Sequence, residues 1–347
     1  MSTKVKYGKS ETQKDSEKIS IIDVIKQEVP RSSSGRIRGI KLPEYISFDI
    51  EDATLIINIH EFPATCEDGS CYMKNPTCEN MQTDNAAFEG WAICLKCWLK
   101  EVRSVKLTWA LPSKESRNLH YNRFIYRVLR FSDAFSDWFS ISEKNKKEIE
   151  DFKKEFCDLR NNSYRAAPQE KKKNNTFGET EMEFLMANSL APQMNSYFGI
   201  EFIDRQFPIG IKKSGKQFFT GGMSAIDLWG MGCDSATIIE LKYGNKNIKV
   251  GIISELFLYA CVVRDIVRGI ILPPKSTPKK SEETFYSTAS SIYSINANML
   301  ATDYHPLVEH DDVLSLLNSN LFSDIVIHFN KYVYCYNKET QLLTIDK

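Results

Sequence analysis

Asp227 lies in the apolar run SAIDLW (224–229), and thirteen residues later Glu240, Leu241 and Lys242 follow in ATIIELKY (236–243). Both runs read as strands, and side chains alternate faces along a strand, so Glu240 and Lys242 share one face while Leu241 takes the other. Gly230, Gly232 and Asp234 between the runs are turn formers, which makes the strands antiparallel neighbours. Asp227 and Glu240 then face each other. Burying unpaired charge on apolar strands costs several kcal/mol, so these groups need a partner. Two converging carboxylates suit a hard cation such as Mg²⁺ or Mn²⁺, with water completing its shell. A lysine beside such a cation can orient or deprotonate an attacking water, and the cation lowers that water's pKa.

Two flanking helices add acidic candidates. In the helix TEMEFLMANSL (180–190), Met182, Leu185, Met186 and Leu190 define the buried stripe. Glu183 and Glu179 border one edge of it and Glu181 the other. Glu183 is the preferred third carboxylate, with Glu179 next; a solvated helix face is the competing reading. After the second strand, the mostly apolar helix VGIISELFLYACVVRDIV (250–267) carries Glu255 and Tyr259 one turn apart.

This order of elements resembles the PD-(D/E)XK nuclease superfamily. Its motif falls here on Ile226-Asp227 and Glu240-Leu241-Lys242, and the likeness covers roughly residues 177–275. Glu255-x-x-x-Tyr259 is similar to the Gln-x-x-x-Tyr element of RecB-like members, with Glu in place of Gln. Ile226 stands where the classical motif has Pro. The resemblance implies a restriction-endonuclease-like mixed sheet flanked by helices. It implies Mg²⁺ or Mn²⁺ on Asp227, Glu240 and Glu183, with Lys242 catalytic, and cleavage of DNA in restriction or anti-phage defence. A non-catalytic binding or scaffold module on the same fold, and an RNase, are the rivals.

The remaining chain must position this constellation. Residues 1–42 read as a flexible arm with a short helix at 20–29. Residues 43–165 read as an α+β domain that recognises the target or a protein partner. Residues 176–347 form the α/β nuclease-like domain, and the Lys- and Asn-rich run 166–179 marks the boundary. In the first domain, YISFDIEDATLIINIHEF (45–62) reads as a hairpin. WAICLKCWLKEV (91–102) and SVKLTWAL (104–111) read as further strands, and 117–139 and 142–160 as helices. Near the C-terminus GIILPP (269–274) reads as a strand, DDVLSLLNSN (311–320) as a helix, and DIVIHF and YVYCYN as a final strand pair.

Other candidates carry less. Arg123, Arg127 and Arg130 recur at i, i+4 and i+7, a stripe that either tracks a phosphate backbone or faces solvent. Lys246 and Lys249 follow the E-x-K strand and could meet substrate phosphates, whereas Lys171 to Lys173 read as linker charge. Cys94 and Cys97 have zinc-knuckle spacing. Cys66, Cys71 and Cys78 are loosely spaced, and buried reduced thiols compete with a structural Zn²⁺ site. The five histidines show no paired spacing. No phosphate-binding glycine loop of the ATP or dinucleotide type is present.

With 45 basic and 45 acidic residues in 347, the chain has no net charge, which excludes a uniformly basic nucleic-acid binder but not a local patch. Hydrophobic residues at 42% argue against a disordered chain. No run of 18 apolar residues predicts a membrane span. The polar N-terminal residues lack a signal-peptide core, and with nine cysteines a cytoplasmic, reducing location is expected.

Overall fold

The computed structural model describes residues 42–346 and Ile21, apart from 67–68, 82, 163–176, 222, 245–248 and 278. The expected 20–29 helix, most of the boundary run, Lys171 to Lys173 and Lys246 therefore lie outside the described residues. Within them the protein is mixed α/β, with eight α-helices and several sheets.

The alternating run after Pro43 forms the expected hairpin, β1 (Ile46–Glu51) against β2 (Thr54–Ile59). Asp52 and Ala53 at its tip have φ of 46° and 60°, the positive values that match a two-residue turn to strand twist. A second hairpin pairs β3 (Phe62–Thr65) with β4 (Cys71–Lys74). The expected strand at 91–102 is instead mostly helix, α1 (Phe88–Trp98). Nine of its eleven residues are buried, including Gly90, Trp91 and Cys94, so no polar face marks a period of 3.6.

The chain continues with β5 (Ser104–Trp109), α2 (Leu119–Ala134), β6 (Phe139–Ile141), α3 (Glu143–Lys154) and β7 (Leu159–Arg160). The Asn118 side chain caps α2 by accepting from the backbone N–H groups of His120 and Tyr121. β2, β5 and β6 run parallel, with α1 and α2 as the crossovers. This part is thus wound in the α/β manner rather than the segregated α+β order expected, because α1 replaces a strand.

Next come α4 (Glu179–Ala187), α5 (Ala191–Phe198), β8 (Phe202–Pro208), β9 (Lys212–Lys213), β10 (Lys216–Gln217), β11 (Ala225–Met231) and β12 (Ser235–Lys242). They are followed by α6 (Gly251–Val267), β13 (Ile271–Leu272), α7 (Lys280–Thr288), β14 (Ser294–Ala301), α8 (Asp312–Asn318), β15 (Val326–Asn337) and β16 (Leu342–Asp346). The main sheet has the order β16-β15-β14-β12-β11-β8. β8, β11 and β12 form an antiparallel meander, and β14 then lies parallel to β12 after the α6 crossover.

One expected strand is found here and one expectation changes. Residues 271–272 form β13, which joins the small sheet β10-β9-β7-β13 and not the main one. The final strand pair is one continuous strand, β15, with β16 as its partner.

Buried apolar residues from Ile46 to Phe329 make one continuous cluster on the α6 side of the main sheet. A smaller cluster on the opposite side gathers Met182 and Met186 of α4 with Leu228, Ile239 and Leu241. Gly90 lets α1 approach α6 closely: a Cβ there would sit 2.9 Å from the Val250 carbonyl carbon. The Gly90 N–H also donates to Ser254 Oγ at 3.3 Å.

Candidate active site

Leu228 pairs with Ile239, and the same antiparallel register places Asp227 opposite Glu240 one step further. Trp229 and Ile238 belong to the α6-side cluster, and Leu228, Ile239 and Leu241 to the other. By strand alternation Asp227, Glu240 and Lys242 therefore all face α6. Asp227 Oδ2 accepts from the Leu241 backbone N–H at 3.0 Å, which fixes that carboxylate against the neighbouring strand. Lys242 Nζ bonds Glu240 Oε1 and lies 3.1 Å from Glu255 Oε2. Glu255 and Tyr259, one turn apart on α6, both turn toward Lys242 and the cleft.

The site holds more negative charge than its own cations balance. Burial, then the Asp227 charge, pushes the Glu240 carboxyl well above its usual range, and Glu255 adds to the effect. Burial also moves Asp227 up from 3.8 to about 7, against the pull of Lys242 and the Leu241 N–H. Burial opposes the Lys242 ammonium, but Glu240, Glu255 and Asp227 outweigh it and hold the lysine charged. Among the described residues, Glu240 Oε2 and Glu255 Oε1 are buried with no hydrogen-bond donor. Such oxygens call for a shared proton or a cation.

A cavity of about 240 Å³ opens over these groups. Asp227, Glu240, Lys242, Tyr259 and Glu179 line it from the sheet and its flanking helices, and Arg123 and Met81 from the N-terminal part of the chain. Glu179 Oε2 accepts from the Tyr243 N–H at 3.3 Å. Glu183, the preferred third carboxylate, does not line the cavity. Its Oε1 takes Arg205 Nε at 2.9 Å and Gln206 Nε2 at 2.7 Å, and burial raises its pKa. The structure thus brings Glu179 to the cleft and places Glu183 behind it in an ion pair. Glu181 is spent on the helix start, where Oε2 accepts from the Gly178 N–H.

Gln206 has φ of 58° within β8, a backbone region that non-glycine residues seldom occupy. It stands level with Asp227, at the one step where the β8–β11 ladder skips a pair. Arg205 and Gln206 were not singled out from the sequence, although a polar triplet Asp204-Arg205-Gln206 inside an apolar strand is the signal that marks them.

The arginine stripe is a correction. Arg127 and Arg130 neither track phosphate nor face solvent. Arg127 is buried in an ion pair with Glu89 of α1, and Arg130 Nη2 meets Asp265 of α6 at 2.7 Å. Only Arg123 of the three reaches the cavity. Lys249 lies outside it, 3.9 Å from Asp84.

Cys94 is buried on α1, and burial pushes the Cys97 thiol up to about 12. No group of three or more His, Cys, Asp or Glu side chains stands at metal-holding spacing among the described residues. The donor set at Asp227 and Glu240 nevertheless fits a hard cation. Its oxygens include the orphaned Glu240 Oε2, and Mg²⁺ takes one or two carboxylates with waters and substrate phosphate.

Comparison of the chain with protein-family models, curated proteins and solved structures returns no significant match. No described helix is long and apolar enough to cross a membrane.

Proposed function

We propose that this protein is a divalent-metal-dependent nuclease that hydrolyses DNA phosphodiester bonds on a restriction-endonuclease-like fold. One observation carries the reading. Asp227, Glu240 and Lys242 converge on one face of adjacent strands, over a cleft where a carboxylate oxygen lacks a donor among the described residues. The topology supports it: an acidic helix, an antiparallel meander, a crossover helix, and a strand parallel to the E-x-K strand. That last strand is β14, which lies beyond the stretch 177–275 that carries the sequence likeness.

Asp227 and Glu240 are the residues that would hold Mg²⁺, with Glu179, which lines the cavity, rather than Glu183 to assist. When bound, the cation lowers the pKa of its water and neutralises phosphate charge. Lys242, held by Glu240 and Glu255, stays charged and positions water or stabilises negative charge developing on the phosphate. Asp227 cannot swing away, because the Leu241 N–H anchors it. A role in restriction or defence rests on the resemblance alone.

The test is incubation of the purified protein with plasmid, linear and single-stranded DNA and with RNA, in Mg²⁺, Mn²⁺ or EDTA. Metal-dependent cleavage of DNA is expected. Cleavage confined to RNA would reassign the substrate, and no cleavage of any of them would favour a binding module.

A further inference from the structure

Three arginines repeat along α2, and two of them are neutralised. Arg127 meets Glu89 of α1, while Arg130 meets Asp265 of α6. Arg123, one turn earlier, is equally buried at 7% exposure yet has no carboxylate at salt-bridge distance among the described residues. Its one hydrogen bond among the described residues joins Nη2 to the ring Nδ1 of His120, and its side chain lines the cavity that holds Asp227, Glu240 and Lys242. A buried guanidinium with no ion pair at contact distance, reached only at longer range by the Glu255 charge, is costly unless an anion arrives. The two ion pairs further along α2 lock the helix to α1 and α6, so Arg123 is held at the cleft wall. Tyr126 Oη, donating to Asp265 Oδ2 at 2.9 Å, adds to that lock.

We infer that Arg123 is a substrate-phosphate clamp, supplied by the N-terminal part of the chain to the cleft built by the C-terminal part. This rests on the nuclease reading and adds a specific anion contact to it. The carboxylate wall takes a cation and repels a phosphate on its own. The opposite wall supplies the positive charge that a guanidinium directs onto two phosphate oxygens at once. Burial, with Arg127 next along the helix, lowers the Arg123 pKa to about 10, so it remains charged at neutral pH. The stripe on α2 therefore has two tasks: Arg127 and Arg130 fix the helix, and Arg123 meets the ligand.

The experiment compares wild type with Arg123→Gln and Arg123→Lys. Binding of a fluorescein-labelled single-stranded DNA, its duplex and the matching RNA is read by anisotropy across a salt series, with Ca²⁺ in place of Mg²⁺. Cleavage in Mg²⁺ and thermal unfolding are measured alongside. Arg123→Gln should weaken binding roughly 10- to 100-fold. It should also lower the slope of log K against log[salt] by about one contact, with the protein still folded. Arg123→Lys should keep the slope but lose several-fold in affinity, because a point charge replaces the two-pronged contact. Wild-type affinity and slope in Arg123→Gln would overturn the clamp while leaving the nuclease reading intact. Wild type that neither binds nor cleaves any of the three nucleic acids would sink that reading, and the clamp with it. Should Arg123→Gln fail to fold, Arg123→Lys decides, since undiminished affinity there removes the two-pronged contact.

Discussion

Lys242 Nζ stands 3.1 Å from Glu255 Oε2, so the strand that carries the E-x-K residues is tied to the helix that follows it. Glu255 occupies the place where the resembling family has Gln, and the ion pair gives it a task. It shares with Glu240 the work of holding one ammonium in a desolvated site. The pair also explains how an otherwise apolar helix accommodates a buried carboxylate.

Glu255→Gln should keep a hydrogen-bonding group near Lys242 but remove a charge, lowering cleavage by about 10- to 100-fold. Glu255→Leu leaves the ammonium paired with Glu240 and also removes a charge that repels Glu240, so its net cost in stability should be only about 1 kcal/mol. Single-turnover cleavage and denaturant unfolding of both variants check this. Wild-type turnover in a folded Glu255→Leu protein would show that the pair has no part in the chemistry.

Asp227→Ala, Glu240→Ala and Lys242→Ala should each lower cleavage by roughly 10²- to 10⁴-fold. The first two should also abolish Mg²⁺ binding measured by calorimetry, whereas Lys242→Ala should spare it. Circular dichroism confirms folding. A folded Glu240→Ala protein that cleaves at the wild-type rate would move the site elsewhere.

The motif strands, the α6 crossover and the first hairpin were legible because each carries a clear period or turn signal. β14 was not read at all, although it lies beside the E-x-K strand in the middle of the main sheet. Its sequence SINANMLA is rich in Asn and Ala, which are depleted in strands and give no strand signal. The structure shows why they fit: Asn298 Nδ2 donates to the Ile238 carbonyl, and Asn330 Nδ2 donates to Asn298 Oδ1. α1 was misread for the opposite reason, since burial all round erases the helical period. The arginine stripe was visible as spacing. Its partners Glu89 and Asp265 lie 38 and 135 residues away from Arg127 and Arg130, and spacing along one helix cannot reveal them. The same holds for the choice between Glu183 and Glu179, which Arg205 and Gln206 decide.

The raised Asp227 pKa sets a pH dependence. Folding moves this carboxyl from 3.8 to about 7, so between those values the native state binds more protons than the unfolded chain. Stability then falls as pH rises through that window, and the loss is complete above about 7. Without metal, wild type should therefore lose stability relative to Asp227→Asn from about pH 4 to about pH 7. Added Mg²⁺ should reverse the loss above pH 7 in wild type only, because it binds the ionised carboxylate. Thermal unfolding in EDTA and in Mg²⁺ across this range is the measurement. A constant difference between the two proteins at all pH values would refute the shift.

Gly90 links the first part of the chain to the site without touching it. A Cβ at Gly90 would stand 2.9 Å from the Val250 carbonyl carbon, closer than real Cβ atoms approach, and a tight 3.1 Å from Val250 Cβ. The nearest obstacle is backbone, so no rotamer change relieves it. Val250 immediately precedes α6, whose first turns carry Ser254, Glu255 and Tyr259. Gly90→Ala must therefore push α1 and α6 apart, which strains a packed core by about 1–3 kcal/mol. The same shift loosens the Glu255–Lys242 pair. We expect a lower melting temperature together with a loss of cleavage larger than the fraction unfolded explains. Gly221→Ala is the contrasting substitution, because its Cβ would meet only Ser224 Oγ at an ordinary 3.6 Å. It should leave stability within about 0.5 kcal/mol of wild type. Calorimetric melting and single-turnover cleavage of both proteins test the relation. If Gly90→Ala melts and cleaves like wild type, the close approach of α1 does not set the position of α6, and the site is held by the sheet alone.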